Sequence, residues 1–451
     1  MNNLLTHSYI TNESLVVLEN ELVFANRVDR QYSAEFAVAG AKVGNTISIR
    51  RPPRYVGTYG PPLNVEDTNE SSSPLSLNYQ FHVDVQFTTQ DLLLSMDMFK
   101  KRVLRPQIAK VANQIDSDTA LYAMLNTATT LGTFGGATPN PYKTYSDARA
   151  NLAAEACPTE GEKMVVLDPY TMSAATAQVA GLFNPQVQLG KWLEKGMIAK
   201  QFAGLDWWED QNIPTFQTGA QGGVPAIATV PAGTALMTTG WAAAGTLQTK
   251  GWTAGAAVVN VGDTIQIAGV YPVNPQNRMQ YGKALKQFVV LPPGGFVAPP
   301  NGAAVTGVIY GAATLTNGGW NPLTGQYTAD AGGLLTLTIG DPLISSGQFQ
   351  NVTNAPNPSA LITVNGGTAA ANVTSPQGLA FHKYAFALGF ADLPLPGGVA
   401  MAARAYDDQD VGMSIRCITQ YTINNDSEPT RADVLYGVGS LYRALGIRIA
   451  S

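Results

Sequence analysis

The chain has 451 residues, more than one ordinary hydrophobic core accommodates, so its length predicts two or three domains. Charged residues make up only 13% of it, about half of the roughly 25% typical of soluble domains, which indicates a surface largely covered by other protein. The formal net charge of -5 argues against a protein whose main task is to grip nucleic acid.

Cysteine usage and hydropathy indicate where such a protein is made. Cys157 and Cys417 lie far apart in the sequence, so we expect buried free thiols rather than a disulfide framework. The first residues lack the basic start and the apolar core of a secretory signal. No run of about 18 apolar residues offers a membrane span, so we expect no membrane partner. The sequence therefore predicts folding in a cytosol.

The chain opens with an amphipathic arm and two strand patterns. Leu15, Leu18 and Leu22 fall at helical spacing. The stretches NTISIRRPPRY (45–55) and SLNYQFHVDVQFTT (76–89) predict two strands, and the segment rich in Gly, Pro and acid between them predicts a long polar tip. Because a two-stranded ribbon is marginally stable in water, we expect it to lie on other protein, most naturally on a neighbouring subunit.

The longest helical pattern runs over residues 91–126. Pro106 should break it or open a second helix at the first turn, and from Ile108 onwards one face stays apolar. Asp116 and Asp118 stand two apart and therefore point to different faces of the helix. We interpret them as solvated or intersubunit charges rather than as an acid–base pair.

Helical and strand patterns alternate as far as Phe216, among them the buried-strand pattern KMVVLDP. Between Gly219 and Gln377 the composition changes to Gly, Ala, Thr, Val, Asn and Pro, and short strand patterns such as DTIQIAGV and LKQFVVL recur between turns. This spacing predicts a small all-β barrel or sandwich. The composition seen before Gly219 resumes at Leu379, and strand patterns run from there to the end. The segment 219–377 is therefore interpreted as an insertion at a surface loop.

Groups that could carry catalysis are sparse. The three histidines, His7, His82 and His382, stand in no motif and are interpreted as structural, with His82 on the solvent side of a strand. The sequence holds no nucleophile elbow, no H-E-x-x-H, no C-x-x-C and no phosphate-binding glycine loop. We predict no catalytic, cofactor-binding or metal site and no enzymatic activity.

Three phrases resemble one family. KGMIAKQFAGLDWWEDQNIPTFQTG (195–219) is similar to a recurring phrase of the major capsid proteins of tailed bacteriophages, which have the Hong Kong 97-type fold. VGDTIQIAGVYPVNPQNR, followed by LKQFVVL and LLTLTIGDPLI, resembles the immunoglobulin-like insertion domain of short-tailed (podovirus) phage coat proteins. RCITQYTINNDSEPTRADVLYGVG (416–439) looks like the closing strands of that subgroup. Six residues of the first phrase match the characteristic positions of the family phrase: Gly196, Gly204, Leu205, Asp206, Ile213 and Pro214.

The resemblance implies an α+β capsid fold in seven parts. They are an N-terminal arm (1–44), an extended loop hairpin (45–89), a peripheral domain with a long spine helix (90–126), the first part of an axial domain (127–218), an inserted all-β domain (219–377), the axial return (378–412) and C-terminal strands (413–451). The hairpin is expected to lie on the next subunit.

The resemblance also implies a function and its partners. The expected product is an icosahedral shell of pentamers and hexamers that encloses double-stranded phage DNA, assembled in the host bacterial cytoplasm with scaffolding and portal proteins. Weak non-specific contacts with DNA and a decoration protein are further expectations. A tail, fibre or surface-layer subunit remains an alternative, as does a hydrolase with an unrecognised site. Electron microscopy of particles distinguishes the first of these from a capsid.

Charged residues supply the candidate intersubunit contacts. An acidic group in the loop of the ribbon could pair with a basic group of a neighbouring copy. The acidic group is Glu66, Asp67 and Glu70, and the basic group is Lys100, Lys101, Arg102 and Arg105.

Overall fold

A computed structural model of the chain describes residues 14–18, 22–31, 46–88, 105–136, 138, 141–159, 163–180, 202–228, 244–297, 309–397, 401–406, 413–424 and 427–451. Residues 14–18 are helical. The longer helices are α1 (Arg105–Asn126), α2 (Tyr142–Ala154) and α3 (Pro169–Ala180). None of the helices in this part of the chain has the length and apolar content to cross a membrane. The mixed α and β organisation predicted from the sequence is confirmed.

The strands fall into three groups along the chain. The first group is β1 (Thr46–Arg51), β2 (Ser71–Ser76), β3 (Tyr79–Thr88), β4 (Thr129–Gly132), β5 (Lys163–Leu167), β6 (Asp206–Glu209) and β7 (Thr215–Gln217). The second is β8 (Gly223–Ile227), β9 (Ala244–Trp252), β10 (Ala257–Asn260), β11 (Thr264–Ile267), β12 (Gln287–Leu291), β13 (Phe296–Val297), β14 (Ile309–Tyr310), β15 (Gly319–Asn321), β16 (Gln326–Thr328), β17 (Leu335–Gly340) and β18 (Ile362–Val364). The third is β19 (Thr374–His382), β20 (Phe386–Ala391), β21 (Met401–Tyr406), β22 (Ser414–Thr419), β23 (Ser427–Ser440) and β24 (Gly446–Ala450).

A central sheet joins distant parts of the chain in the order β4-β24-β19-β5-β6, with β7 paired to the beginning of β19. The pairs β4–β24 and β5–β6 are parallel, and β19 pairs antiparallel with both of its neighbours β24 and β5. Its strand β5, predicted as the buried KMVVLDP, is buried from Met164 to Leu167.

A second sheet has the order β20-β23-β22-β21, and β3 pairs with β23 over ten residues from Tyr79 to Thr88. The alternation predicted for this segment is present, because Phe81 and Val83 turn towards the core while His82 faces solvent. Helix α1 packs beside both strands, and Gln107 donates a hydrogen bond to the Val83 carbonyl. Pro106 lies in the first turn of α1, as predicted.

Residues 223–364, here called the β module, contain strands and no helix within the positions that the structure describes. Six strands form one sheet in the order β18-β11-β12-β17-β9-β8, and β10-β16-β15 form another. The predicted strand DTIQIAGV becomes β11, with turns at Gly262 and Gly269, where φ is positive. Gln217 of β7 pairs with Thr374 of β19, so the chain enters and leaves the module side by side.

The pairing expected for the ribbon is wrong. Strand β1 pairs with β2, Ser71–Ser76, which lies in the stretch assigned from sequence to the polar tip. The sequence SSSPLS has only one large apolar residue, so it carried no strand pattern. The segment expected to be its second strand is β3, whose ten alternating residues pair instead with β23 and lie beside helix α1.

The interpretation of Asp116 and Asp118 as solvated charges is also wrong. Both side chains are buried in α1. Asp116 accepts hydrogen bonds from the backbone N–H groups of Val23 and Ala25, each at 2.7 Å. Asp118 accepts one from the Tyr436 hydroxyl at 2.6 Å, so the two carboxylates do point to different sides, as expected. Cys157 and Cys417 are buried free thiols, as predicted.

Candidate functional site: the ribbon and its tip

The ribbon is the antiparallel pair β1–β2, whose alternation of side chains decides how it sits on the protein. Ile47 and Ile49 of β1 and Leu75 of β2 are buried on one face, while the intervening residues are exposed. They pack in one cluster with Ala387 and Leu441 of the same chain. The support that a two-stranded ribbon needs therefore comes from within the subunit, contrary to the expectation that a neighbour supplies it.

Polar contacts reinforce the base of the ribbon. Arg51 lies on the buried face of β1, donates a hydrogen bond to the Ser73 hydroxyl at 2.6 Å and stands 4.9 Å from the centre of the Tyr442 ring. Arg50, on the exposed face, forms an ion pair with Glu70 at 3.3 Å. The buried face thus joins the ribbon to the protein, and the exposed face carries charge to solvent.

The tip, residues 52–70, is irregular because four prolines and two glycines interrupt any strand pattern. Glu66 organises it: its carboxylate accepts the backbone N–H of Val56 at 2.7 Å and that of Gly57 at 2.6 Å. Gly57 has φ of +71°, a conformation that favours glycine, and this lets the two N–H groups converge on one carboxylate.

The β module holds the tip from the side. Arg278 donates hydrogen bonds to the Tyr55 carbonyl at 2.7 Å and to the Val56 carbonyl at 3.3 Å. The Gln348 side chain donates to the Asp67 carbonyl at 2.7 Å, and its oxygen accepts from Asn69 at 3.0 Å. These contacts fix the direction in which the tip leaves the protein.

Large apolar side chains nevertheless project from this fixed loop. Tyr59 is fully exposed, Leu63 is 91% exposed and Val65 is 78% exposed. The three side chains lie within seven residues of one loop, where together they offer apolar surface to another protein. Sequence reasoning missed these three residues, because single apolar residues between glycines and prolines have no periodicity. The available signal was that large apolar residues recur in the turn-rich stretch GTYGPPLNV.

The charged residues predicted as intersubunit contacts have different surroundings. Glu66 is engaged by the backbone of its own loop and Glu70 by Arg50, while the Asp67 side chain is exposed. Arg105 is exposed at the beginning of α1. Lys100, Lys101 and Arg102 lie outside the described residues. The pairing of the acidic and basic groups between copies stays a prediction.

Within the described ranges no group of three His, Cys, Asp or Glu side chains could hold a metal ion. His382, one of the three histidines, is buried, and its Nδ1 accepts the backbone N–H of Tyr384 at 3.3 Å. His82 lies 3.4 Å from Asp84 on the exposed side of β3. These contacts are consistent with a structural role for both histidines.

The self-supported ribbon thus presents apolar side chains at a position where a second protein surface can cover them. The family model described as P22 coat protein, gene protein 5, matches residues 1–306, about two thirds of the chain. The chain therefore belongs to the P22 coat protein family and is a major capsid protein. The tail, fibre or surface-layer alternative is thereby discarded.

Solved bacteriophage structures are similar to the chain over almost its whole length, at low sequence identity. A structure of Mycobacterium phage Che8 is 12% identical, with a TM-score of 0.41, over 95% of this chain and 92% of the other. The capsid of Cyanophage P-SCSP1u gives 9% identity and a TM-score of 0.44 over 95% and 88%. The mature capsid of bacteriophage PhiM1 gives 10% and 0.43 over 95% and 86%. No curated protein sequence matches the chain.

Proposed function

We propose that the chain assembles as pentamers and hexamers into an icosahedral shell of the Hong Kong 97 type that encloses double-stranded DNA, and that the ribbon tip supplies a contact to the neighbouring subunit. The observation that carries this proposal is the exposure of Tyr59, Leu63 and Val65 on a loop held in place by Arg278 and Gln348. A loop pre-organised in the free subunit loses little conformational entropy when it binds.

The proposed division into arm, extended loop, peripheral, axial and inserted domains rests on the order of elements. The β module lies between β7 and β19, which pair with each other, as expected for an immunoglobulin-like domain inserted into a surface loop. Helix α1 is proposed as the spine of the peripheral domain. Assembly in the host cytoplasm and the participation of scaffolding, portal and decoration proteins belong to the same proposal.

Replacement of the exposed apolar residues tests the role of the tip. The double variant Tyr59→Ser/Leu63→Ser should leave the urea midpoint of the subunit unchanged, because neither side chain is packed in it. Formation of closed shells, followed by sedimentation and negative-stain electron microscopy, should be lost or strongly reduced. Leu323→Ser is the matched control, because Leu323 is 92% exposed in the turn between β15 and β16 and does not belong to the tip. Wild-type yields of shells from the double variant would remove the tip from the assembly contacts.

A further inference from the structure

A cavity of about 750 Å³ lies where four parts of the protein meet. Its walls come from the end of β1 and the first residues of the tip, from the residues after α2, from the β module, and from the loop between β23 and β24. Two of its lining residues, Ile49 and Leu441, also belong to the ribbon cluster. Its size is that of a small-molecule site.

The cavity is lined by more cationic than anionic side chains. Five cations face three carboxylates there. The cations are Arg50, Arg51, Arg54, Lys286 and Arg443, and the carboxylates are Asp29, Glu155 and Asp341. Arg50 is 82% exposed and paired with Glu70, which is not part of the lining, so four cations remain against three carboxylates. An excess of cations in a cleft attracts anions.

Two of the carboxylates are already committed to cations of the lining. Glu155 lies 2.5 Å from the Lys286 ammonium and also accepts the Tyr281 hydroxyl, and Asp341 lies 3.4 Å from the Arg443 guanidinium. The third, Asp29, accepts hydrogen bonds from the backbone and side chain of Gln31.

The remaining arginines come from the motif RRPPR. Arg54 is half-buried and forms no hydrogen bond or ion pair with any residue of the described ranges. The buried Arg51 donates to the neutral Ser73 hydroxyl and lies over Tyr442. Burial lowers the pKa of Arg51 to about 10; Asp341 opposes this shift, and the charges of Arg443 and Arg54 add to it. Arg54 and Arg443 are therefore close enough to Arg51 for the positive charges to repel one another.

We propose that this cavity binds a multivalent phosphate-class anion between Arg51 and Arg54, with Arg443 as a further donor. A guanidinium presents planar N–H pairs that match the oxygens of phosphate, and a phosphate group carries more than one negative charge at neutral pH. A lone carboxylate would compensate only one of these arginines. The phosphate can come from free phosphate or pyrophosphate, or from nucleic acid, and the chemistry of the site is the same for both.

Binding of pyrophosphate to the purified full-length chain, followed by isothermal titration calorimetry at low salt, tests the proposal. We expect saturable binding that weakens about tenfold in Arg54→Gln, the loss of one charge-assisted contact. Arg54→Lys should retain part of the affinity. Because Arg54 forms no hydrogen bond or ion pair within the described residues, these variants should keep the unfolding midpoint of the wild type. Arg149→Gln, at an exposed arginine outside the cavity, is the matched control and should bind as the wild type does.

A short thymidine oligonucleotide and an oligoglutamate peptide distinguish the source of the anion. Oligonucleotide binding that falls in parallel with pyrophosphate binding in Arg54→Gln supports a nucleic-acid source. Pyrophosphate binding without oligonucleotide binding supports free phosphate. The proposal is overturned if pyrophosphate does not bind, if Arg54→Gln binds it as tightly as Arg149→Gln, or if only the oligoglutamate binds.

Discussion

The buried core contains carboxylate side chains and the exposed ribbon tip contains large apolar ones, in each case the opposite of what the surroundings favour. In the core, Asp116 and Asp263 are almost fully buried carboxylates, whereas at the tip Leu63 and Val65 stand in solvent. The buried carboxylates have partners in remote parts of the same chain: Asp263 accepts from Gly219 at 3.1 Å and from Asn365 at 2.6 Å. The apolar tip residues have no comparable cover. Core carboxylates thus help to specify how one chain closes on itself, whereas the exposed apolar groups mark the proposed contact with a second chain.

The largest loss of stability is expected when the buried ion pair between Lys286 and Glu155 is broken. Lys286→Met leaves the Glu155 carboxylate buried without its cation, so the free energy of unfolding should fall by about 3–5 kcal/mol. Urea unfolding followed by tryptophan fluorescence measures this loss.

The matched control is Lys143→Met, because Lys143 pairs with Asp147 at the same 2.5 Å but is 79% exposed. Its loss should stay below about 1 kcal/mol. The double variant Lys286→Met/Glu155→Gln should recover part of the stability, since no uncompensated charge then remains. Equal losses for Lys286→Met and Lys143→Met would contradict the distinction between core and surface charge.

A smaller decrease in the free energy of unfolding is expected when a buried carboxylate loses one of its uncharged hydrogen-bond donors. Tyr436→Phe removes the hydroxyl that donates to Asp118, and the free energy of unfolding should fall by about 1.5–3 kcal/mol, as for hydrogen bonds to charged groups. Tyr327→Phe is the control, because that hydroxyl donates to the uncharged Leu291 carbonyl in the β module. A loss of about 0.5–1.5 kcal/mol is expected there. A larger loss for Tyr327→Phe would show that carboxylate charge adds nothing.

Sequence patterns predicted those secondary-structure elements that are determined by a few neighbouring residues. The alternation of β3, the apolar run of β5 and the proline at the beginning of α1 each leave a short-range mark in the sequence, and all three are confirmed. The family phrases added the capsid class, which physical patterns alone could not supply. Composition indicated only that much of the surface is covered.

Long-range partners were not predictable in the same way. The ribbon strand β2 reads SSSPLS, and its pairing with β1 depends on Ala387 and Leu441, more than 300 positions away. Asp116 resembled a surface charge because its backbone donors, Val23 and Ala25, lie about 90 residues earlier. The tip was predicted to be polar, and its exposed apolar residues were missed because single apolar residues between glycines and prolines show no periodicity.

The carboxylate of Asp116 also makes the stability of the core depend on pH. Burial, together with the nearby charge of Asp210, raises its pKa to about 7, and the N–H groups of Val23 and Ala25 only partly oppose this. The unfolded pKa is near 3.9, so between about pH 4 and pH 7 the folded chain holds a proton that the unfolded chain has lost. Stability should therefore fall as pH rises through this window, with a slope approaching about 1.4 kcal/mol per pH unit from this group.

Asp116→Asn should remove this contribution from the slope of unfolding free energy against pH, measured by urea titrations across the window. The amide keeps an oxygen that can accept one of the two backbone N–H groups. Burial raises the pKa of Asp118 and Asp210 as well, so a residual slope of the same sign is expected in the variant. Asp67→Asn, at an exposed carboxylate of the tip, should leave the wild-type slope in place. An unchanged slope in Asp116→Asn would show that its carboxylate is not the titrating group.

The smallest effect is expected for the ion pair at the junction of ribbon and tip. Arg50 and Glu70 are 3.3 Å apart, and their side chains are 82% and 47% exposed, so water and salt screen the attraction. Arg50→Gln should lower the free energy of unfolding by less than about 1 kcal/mol, and the difference from wild type should vanish at high salt. Glu70→Gln should behave alike if the pair acts as a unit. A loss as large as that of Lys286→Met would mean that charge, rather than the burial of Ile49 and Leu75, attaches the ribbon to the protein.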